Sequence, residues 1–143
     1  ARKLGVGSPK YITDSQPGYV FNLDSQGWDR KFVIVCEGPF DAISVGGVAV
    51  LRNEVNDQQS MIINSLQREV IVVPDKDQSG QQLANDAVKY GWSVSFPIWP
   101  DSDIKDVADA VKRYGKIYTM QKIVHSKVTG LKIQLLAKTY FAE

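Results

Sequence analysis

The chain is 143 residues long, 43% hydrophobic and 23% charged, with 17 Lys and Arg against 16 Asp and Glu, a composition that fits one compact globular domain. Cys36 is the only cysteine and His125 the only histidine; a disulfide scaffold and a Cys/His zinc cluster are excluded, and a nucleophilic triad has no choice of partners. No apolar run approaches the roughly 20 residues of a membrane helix and no signal peptide opens the chain, so a cytoplasmic setting without membrane contact is expected.

In chain order, residues Phe32–Cys36 (FVIVC) form a β-branched apolar run that reads as a buried parallel strand, ending in Glu37 and Gly38. Residues 40–45 (FDAISV) have helical spacing and are closed by Gly46 and Gly47. Residues 48–51 (VAVL) predict a second strand, and Asn56 or Asp57 caps a helix through Met61, Ile62, Ile63 and Leu66. The clearest strand is 70–73 (VIVV), which runs into Pro74, Asp75, Lys76 and Asp77; Ser79 and Gly80 then open a helix that stops at Gly91. Residues 93–98 (SVSFPI) predict a fourth strand, followed by acidic residues Asp101 and Asp103, a helix from about 106 to 114, and one or two helices across 117–141 with Gly130 as a break.

Alternation of strands and helices at this spacing predicts an α/β domain: a compact parallel sheet of about four strands, helices on both faces, and further helices at the C-terminus. In such sheets the loops after the strands build the ligand crevice. Glu37 follows the first strand, Asp75 and Asp77 the third, and the Asp101–Asp106 cluster the fourth, so three loops feed one acidic edge. The net charge of +1 hides this segregation: residues 37–111 carry twelve acids against five bases, whereas residues 112–143 carry seven bases against Glu143 alone. An acidic centre beside basic flanks suits a cation site next to a polyanion site.

Crowded carboxylates repel one another unless protons or cations neutralise them. Mg²⁺, with Mn²⁺ as its substitute, is the natural cation, because it takes hard oxygen ligands and is held by one or two carboxylates plus substrate phosphates. In an extended Asp75-Lys76-Asp77 the two carboxylates point to the same side and reach one ion or a close pair, as nucleotidyl transfer or hydrolysis requires. Each element also has a structural explanation: Asp77 and Ser79 are ordinary helix caps, and Asp41 favours a first helical turn. The combination of a Glu after the first strand and an Asp-x-Asp after the third carries the functional reading.

Two motifs, VIVCEGPFDAISV and VIVVPDKDQSGQQLANDAV, resemble the Toprim family, the metal-binding domain shared by bacterial-type primases, type IA and type II topoisomerases and several nucleases. The resemblance implies Glu37 as general acid/base or metal ligand and Asp75 and Asp77 as catalytic metal ligands. Asp41, within the first motif, joins the ligand candidates. KDVADAV is similar to the third station of primase Toprims, which adds Asp106 and Asp109. The EGxxDAxS form of the first motif and the upstream GSPKYITDSQPGYVFN look more like primases than topoisomerases, and the resemblance runs from about Gly7 to Tyr114. It implies a remnant of the upstream primase subdomain and linker over 1–30, a Toprim domain over 31–115, and a helical extension over 116–143. Ala1 in place of Met fits a cut domain.

The activity so implied is Mg²⁺-dependent synthesis of short RNA primers from ribonucleoside triphosphates on a single-stranded DNA template, with a replicative helicase as partner. A Toprim nuclease and a non-catalytic nucleic-acid or partner-binding module are the alternatives. Lys10, Tyr11, Lys76 and Arg52 are the candidate template or nucleotide contacts, with Arg68 a further phosphate candidate. Trp28, Trp92 and Trp99 have base-stacking surfaces, but large aromatics usually pack at sheet edges and are read so here. Cys36 is read as a packed small hydrophobe, and His125 receives no role.

Overall fold

A computed structural model describes residues 18–52 and 54–142. The expectations for Lys10 and Tyr11, and for most of the upstream segment, lie outside the described residues. In chain order the regular elements are β1 (Phe32–Cys36), α1 (Pro39–Val45), β2 (Val48–Ala49), α2 (Asp57–Asn64), β3 (Glu69–Val73), α3 (Gln78–Tyr90), β4 (Ser93–Ser95), α4 (Val107–Tyr114), α5 (Lys116–His125), β5 (Lys127–Val128) and α6 (Leu131–Tyr140). The sheet order is β2-β1-β3-β4-β5. The first four strands run parallel, and β5 joins β4 antiparallel.

Strand alternation divides the interior into two cores, one on each face of the sheet. Val33, Val35, Val70, Val72 and Val94 face a core closed by Ile63 of α2, Leu83, Ala84 and Ala87 of α3, and Ile133 and Ala137 of α6. Ile34, Cys36, Ile71 and Val73 face the other, closed by Ala42 and Val45 of α1, Val107 of α4 and Ile123 of α5. The helices of 116–140 therefore pack into the same two cores as the rest of the chain.

Local chemistry explains the element ends. Pro39 occupies the first turn of α1, where its missing N–H costs nothing, and Gly46 ends the helix in the left-handed region (φ 65°) with its N–H on the Ala42 and Ile43 carbonyls. Asn56 caps α2 with a reciprocal Gln59 capping box. The buried Asp86 carboxylate accepts the Val55 N–H at 2.8 Å and a Gln82 side-chain N–H at 3.0 Å, pinning the loop before α2 to α3.

Two strand expectations are shortened. The fourth strand ends at Ser95 rather than 98; Pro97 has no N–H to give to a ladder, and the Ser95 hydroxyl turns inward to the Ile123 carbonyl at 2.7 Å. The second ends at Ala49, although Val50 and Leu51 still donate to the carbonyls of Cys36 and Glu37 at 3.1 and 2.9 Å. Strand β5 was not expected. Its edge position is fastened by Lys127, whose ammonium meets both Glu69 carboxylate oxygens at 2.8 and 2.6 Å. Trp28 departs from the expected packing and is 93% exposed, whereas Trp92 is buried.

Ile71 is fully buried at the centre of the sheet. We expect Ile71→Ala to cost about 2–5 kcal/mol, read as a lower urea midpoint, whereas truncation of the exposed Met61 shifts stability by less than about 0.5 kcal/mol.

Candidate functional site

The chain reaches β2 on one side of β1 and β4 on the far side of β3. Helices α1 and α3, which follow β1 and β3, cover opposite faces. The two central strands therefore part company at their carboxyl ends, which is where open α/β sheets form their ligand crevice. Parallel register sets Cys36 against Val73, so Glu37 and Asp75 emerge side by side. The Glu37 Oε2 accepts the Asp75 backbone N–H at 2.8 Å.

Three helix starts bring the remaining carboxylates to this edge. Asp77 caps α3, its Oδ1 accepting the Gly80 N–H at 3.0 Å. Asp106 caps α4 through the Asp109 N–H at 2.8 Å. Asp41, in the first turn of α1, accepts the Ala108 N–H of α4 at 2.9 Å and so ties the first acidic loop to the last. Asp109 accepts the Lys105 N–H at 3.2 Å. Each helix start offers orphan donors and positive dipole ends, which is how the fold tolerates so many anions together. The capping expected of Asp77 is thus observed, and Asp106 acts as a cap in the same way.

Asp75 bears the cost of the crowding. Burial, then the charges of Glu37, Asp41, Asp77 and Asp106, push its carboxyl up to about 7. Asp41 is raised chiefly by burial, against the opposing Ala108 N–H, and further by Asp106 and Asp109. Beneath them the buried Cys36 thiol is held well above its usual range by burial and then by Asp41, Asp75 and Glu37; it is a neutral packed side chain. The β3–α3 turn that presents Asp75 and Asp77 also depends on Gly80, because a Cβ there would lie 2.0 Å from the Asp75 carbonyl oxygen.

A crevice of about 440 Å³ opens between Asp75, Lys76, Asp77, Lys105 and Asp106. Arg52 lies exposed beyond the end of β2, at the same edge of the sheet. Arg68 precedes β3 at the opposite edge, away from the acidic loops, and donates to the Gly27 carbonyl at 2.9 Å. His125 ends α5 and is exposed. Tyr140 of α6 is a neighbour that sequence spacing did not reveal: the Lys76 ammonium sits 5.3 Å from its ring centroid, and burial, then Asp75, pushes its phenol up to about 12.

The donor set is all carboxylate oxygen, which fits a hard cation and not a soft one. Among the described residues no group of three or more His, Cys, Asp or Glu side chains is gathered closely enough to form a metal cage.

No protein-family model and no curated protein matches the sequence. Solved structures do match the fold. A DnaG primase catalytic domain bound to single-stranded DNA superposes with a TM-score of 0.67 at 17% identity, over 86% of this chain and 43% of its own. The E. coli primase catalytic core gives 0.66 at 16% identity, over 85% and 43%. The Aquifex aeolicus primase, comprising zinc-binding and RNA polymerase domains, gives 0.63 at 18% identity, over 86% and 33%. The chain shares the fold of these primase catalytic cores. The chain spans less than half the length of these primase structures, and its acidic crevice lies at the switch point of that fold.

Folded Asp75 keeps a proton up to about pH 7 that an unfolded Asp releases near pH 4. The folded state binds the extra proton between these values, so metal-free stability falls as pH rises through that window. We expect Asp75→Asn to raise the metal-free Tm at pH 8 by roughly 2–4 °C, after discounting for partial exposure. The gain should vanish in melts at pH 4, where both side chains are neutral.

Proposed function

We propose that this chain is the metal-binding part of a primase, joining ribonucleotides into short RNA primers on single-stranded DNA. The observation that carries the reading is the carboxylate cluster at the switch point, where Asp75 is raised to about 7 by burial and by four neighbouring carboxylates. A fold that keeps such a charge cluster at its ligand edge needs a cation to complete it. The neighbour solved with single-stranded DNA supports the template class.

Asp75 and Asp77 would hold Mg²⁺, or Mn²⁺ in its place, with Asp106 completing the set from α4 and Asp41 and Asp109 supporting its loop. When bound, the cation supplies Lewis-acid stabilisation of the transferring phosphoryl group and of an ionised hydroxyl nucleophile. Glu37 positions Asp75 through its backbone N–H and presents a carboxylate as proton acceptor or further ligand. Lys76, Lys105 and Arg52 offer positive charge to the phosphates that meet this edge. Among the described residues no helix is long and apolar enough to cross a membrane. The setting proposed is the cytoplasm of a bacterial cell, or of the host if the protein is phage-encoded, with a replicative helicase as partner.

The test is ribonucleotide incorporation on a single-stranded template by the full-length protein. Glu37→Gln and Asp77→Asn should each reduce primer synthesis by about 10²-fold or more while the thermal melt stays cooperative. Undiminished synthesis by both variants would refute the assignment. Cleavage of the template in Mn²⁺ without added nucleotides would instead favour nuclease chemistry at the same carboxylates.

A further inference from the structure

The Asp75-Lys76-Asp77 segment sets a lysine between two carboxylates of the acidic crevice. The Asp77 N–H returns to the Asp75 carbonyl at 2.9 Å, a three-residue turn with Lys76 at its apex, and Lys76 lines the crevice beside both acids. An ammonium on a flexible four-carbon stem is the nearest competitor that a divalent cation could meet there. Paired with either aspartate, it would occupy carboxylate oxygens and would have to be displaced before a metal could take them. Among the described residues no such pair is formed: the ion pairs belong to Lys89, Arg113 and Lys127. The Lys76 ammonium lies instead over the Tyr140 ring, 5.3 Å from its centroid, within the distance at which an aromatic face attracts a cation.

Tyr140 is fixed independently of Lys76. Its ring meets Phe96 at a centroid distance of 5.0 Å and Phe141 at 5.2 Å, and the buried side chains of Ile133 and Ala137 seat α6. The lysine is exposed and the tyrosine half-buried, so the ring is the anchor and the lysine stem is the part that swings. We propose that Tyr140 is a positioning residue: it holds the Lys76 ammonium away from the crevice carboxylates, so that the lysine does not compete with a divalent cation for Asp75 and Asp77. The inference rests on the cation-site reading and adds to it a residue of the C-terminal helix. An exposed lysine–carboxylate pair and an exposed cation–π contact are of similar strength, so removing the ring is enough to redirect the lysine. Docked on the ring, Lys76 still stands beside the crevice, where its charge can meet a phosphate.

Mn²⁺ binding to the full-length protein, followed by calorimetry, tests this in a double-mutant cycle. Tyr140→Leu should weaken Mn²⁺ binding about 2–5-fold, the range that one exposed cation–π contact sustains. Tyr140→Phe, which keeps the aromatic face, should bind Mn²⁺ as the parent protein does. Made in the Lys76→Met protein, the Tyr140→Leu change should leave Mn²⁺ affinity unaltered, because no ammonium remains to be released. Equal losses from Tyr140→Leu in both backgrounds would assign Tyr140 a packing role alone and overturn the inference. A loss in Tyr140→Phe, or unchanged affinity in Tyr140→Leu, would overturn it as well while leaving the cation site standing. Failure of the parent protein to bind Mn²⁺ would overturn the cation-site reading and the inference with it.

Discussion

Parallel pairing of β1 with β3 is the constraint on which the molecule turns. Their register runs from Phe32 against Glu69 to Cys36 against Val73, and it puts two acidic loops at adjacent strand ends. The pairing is held by apolar side chains that alternate between two cores, and each core closes only when helices from both halves of the chain are in place. A slip of one residue would exchange the side chains between faces and move Glu37 away from the Asp75 amide. The hydrogen bond from that amide to Glu37 is thus a consequence of the packing of valines and isoleucines some distance below it.

Repulsion at the edge is balanced in part by backbone. Asp77, Asp106 and Asp41 each accept an N–H at the start of a helix, where partial positive charge is fixed by the fold. Asp75 has its backbone amide engaged by Glu37 and its carboxyl raised by burial and by the four surrounding acids. The geometry that makes the protein less stable at higher pH is the one on which the proposed cation site rests. Stability and the proposed function pull in opposite directions at one residue, as is common where a site is prepared for a charged ligand.

Much of this was legible in the sequence because the strongest signals are local. Continuous β-branched runs at 32–36 and 70–73 fix the two central strands, and glycines at 46 and 91 mark helix ends. The carboxylates after those strands follow from chain direction alone. Other features depend on contacts that no short window encodes. Strand β5 is two residues long and exists because the chain doubles back beside β4. Tyr140 meets Lys76 only because α6 returns across the face that holds Leu83 and Val94. The overrun of the fourth strand came from reading Phe96 and Pro97 as ladder residues when both are buried without joining it. Trp28 shows the limit of reading aromatics as core: its residue type favours burial, but its loop leaves it 93% exposed.

The most direct test of a cation site built on a raised Asp75 is proton release on Mn²⁺ binding, measured by calorimetry in buffers of different ionisation enthalpy. At pH 6 the folded Asp75 holds its proton, so binding should release close to one proton, falling toward zero by pH 8.5. The Asp75→Asn/Asp77→Asn protein should show neither the binding nor the release. Binding of Mn²⁺ with no proton release at pH 6, or binding retained by the double variant with its fold intact, would contradict the central claim.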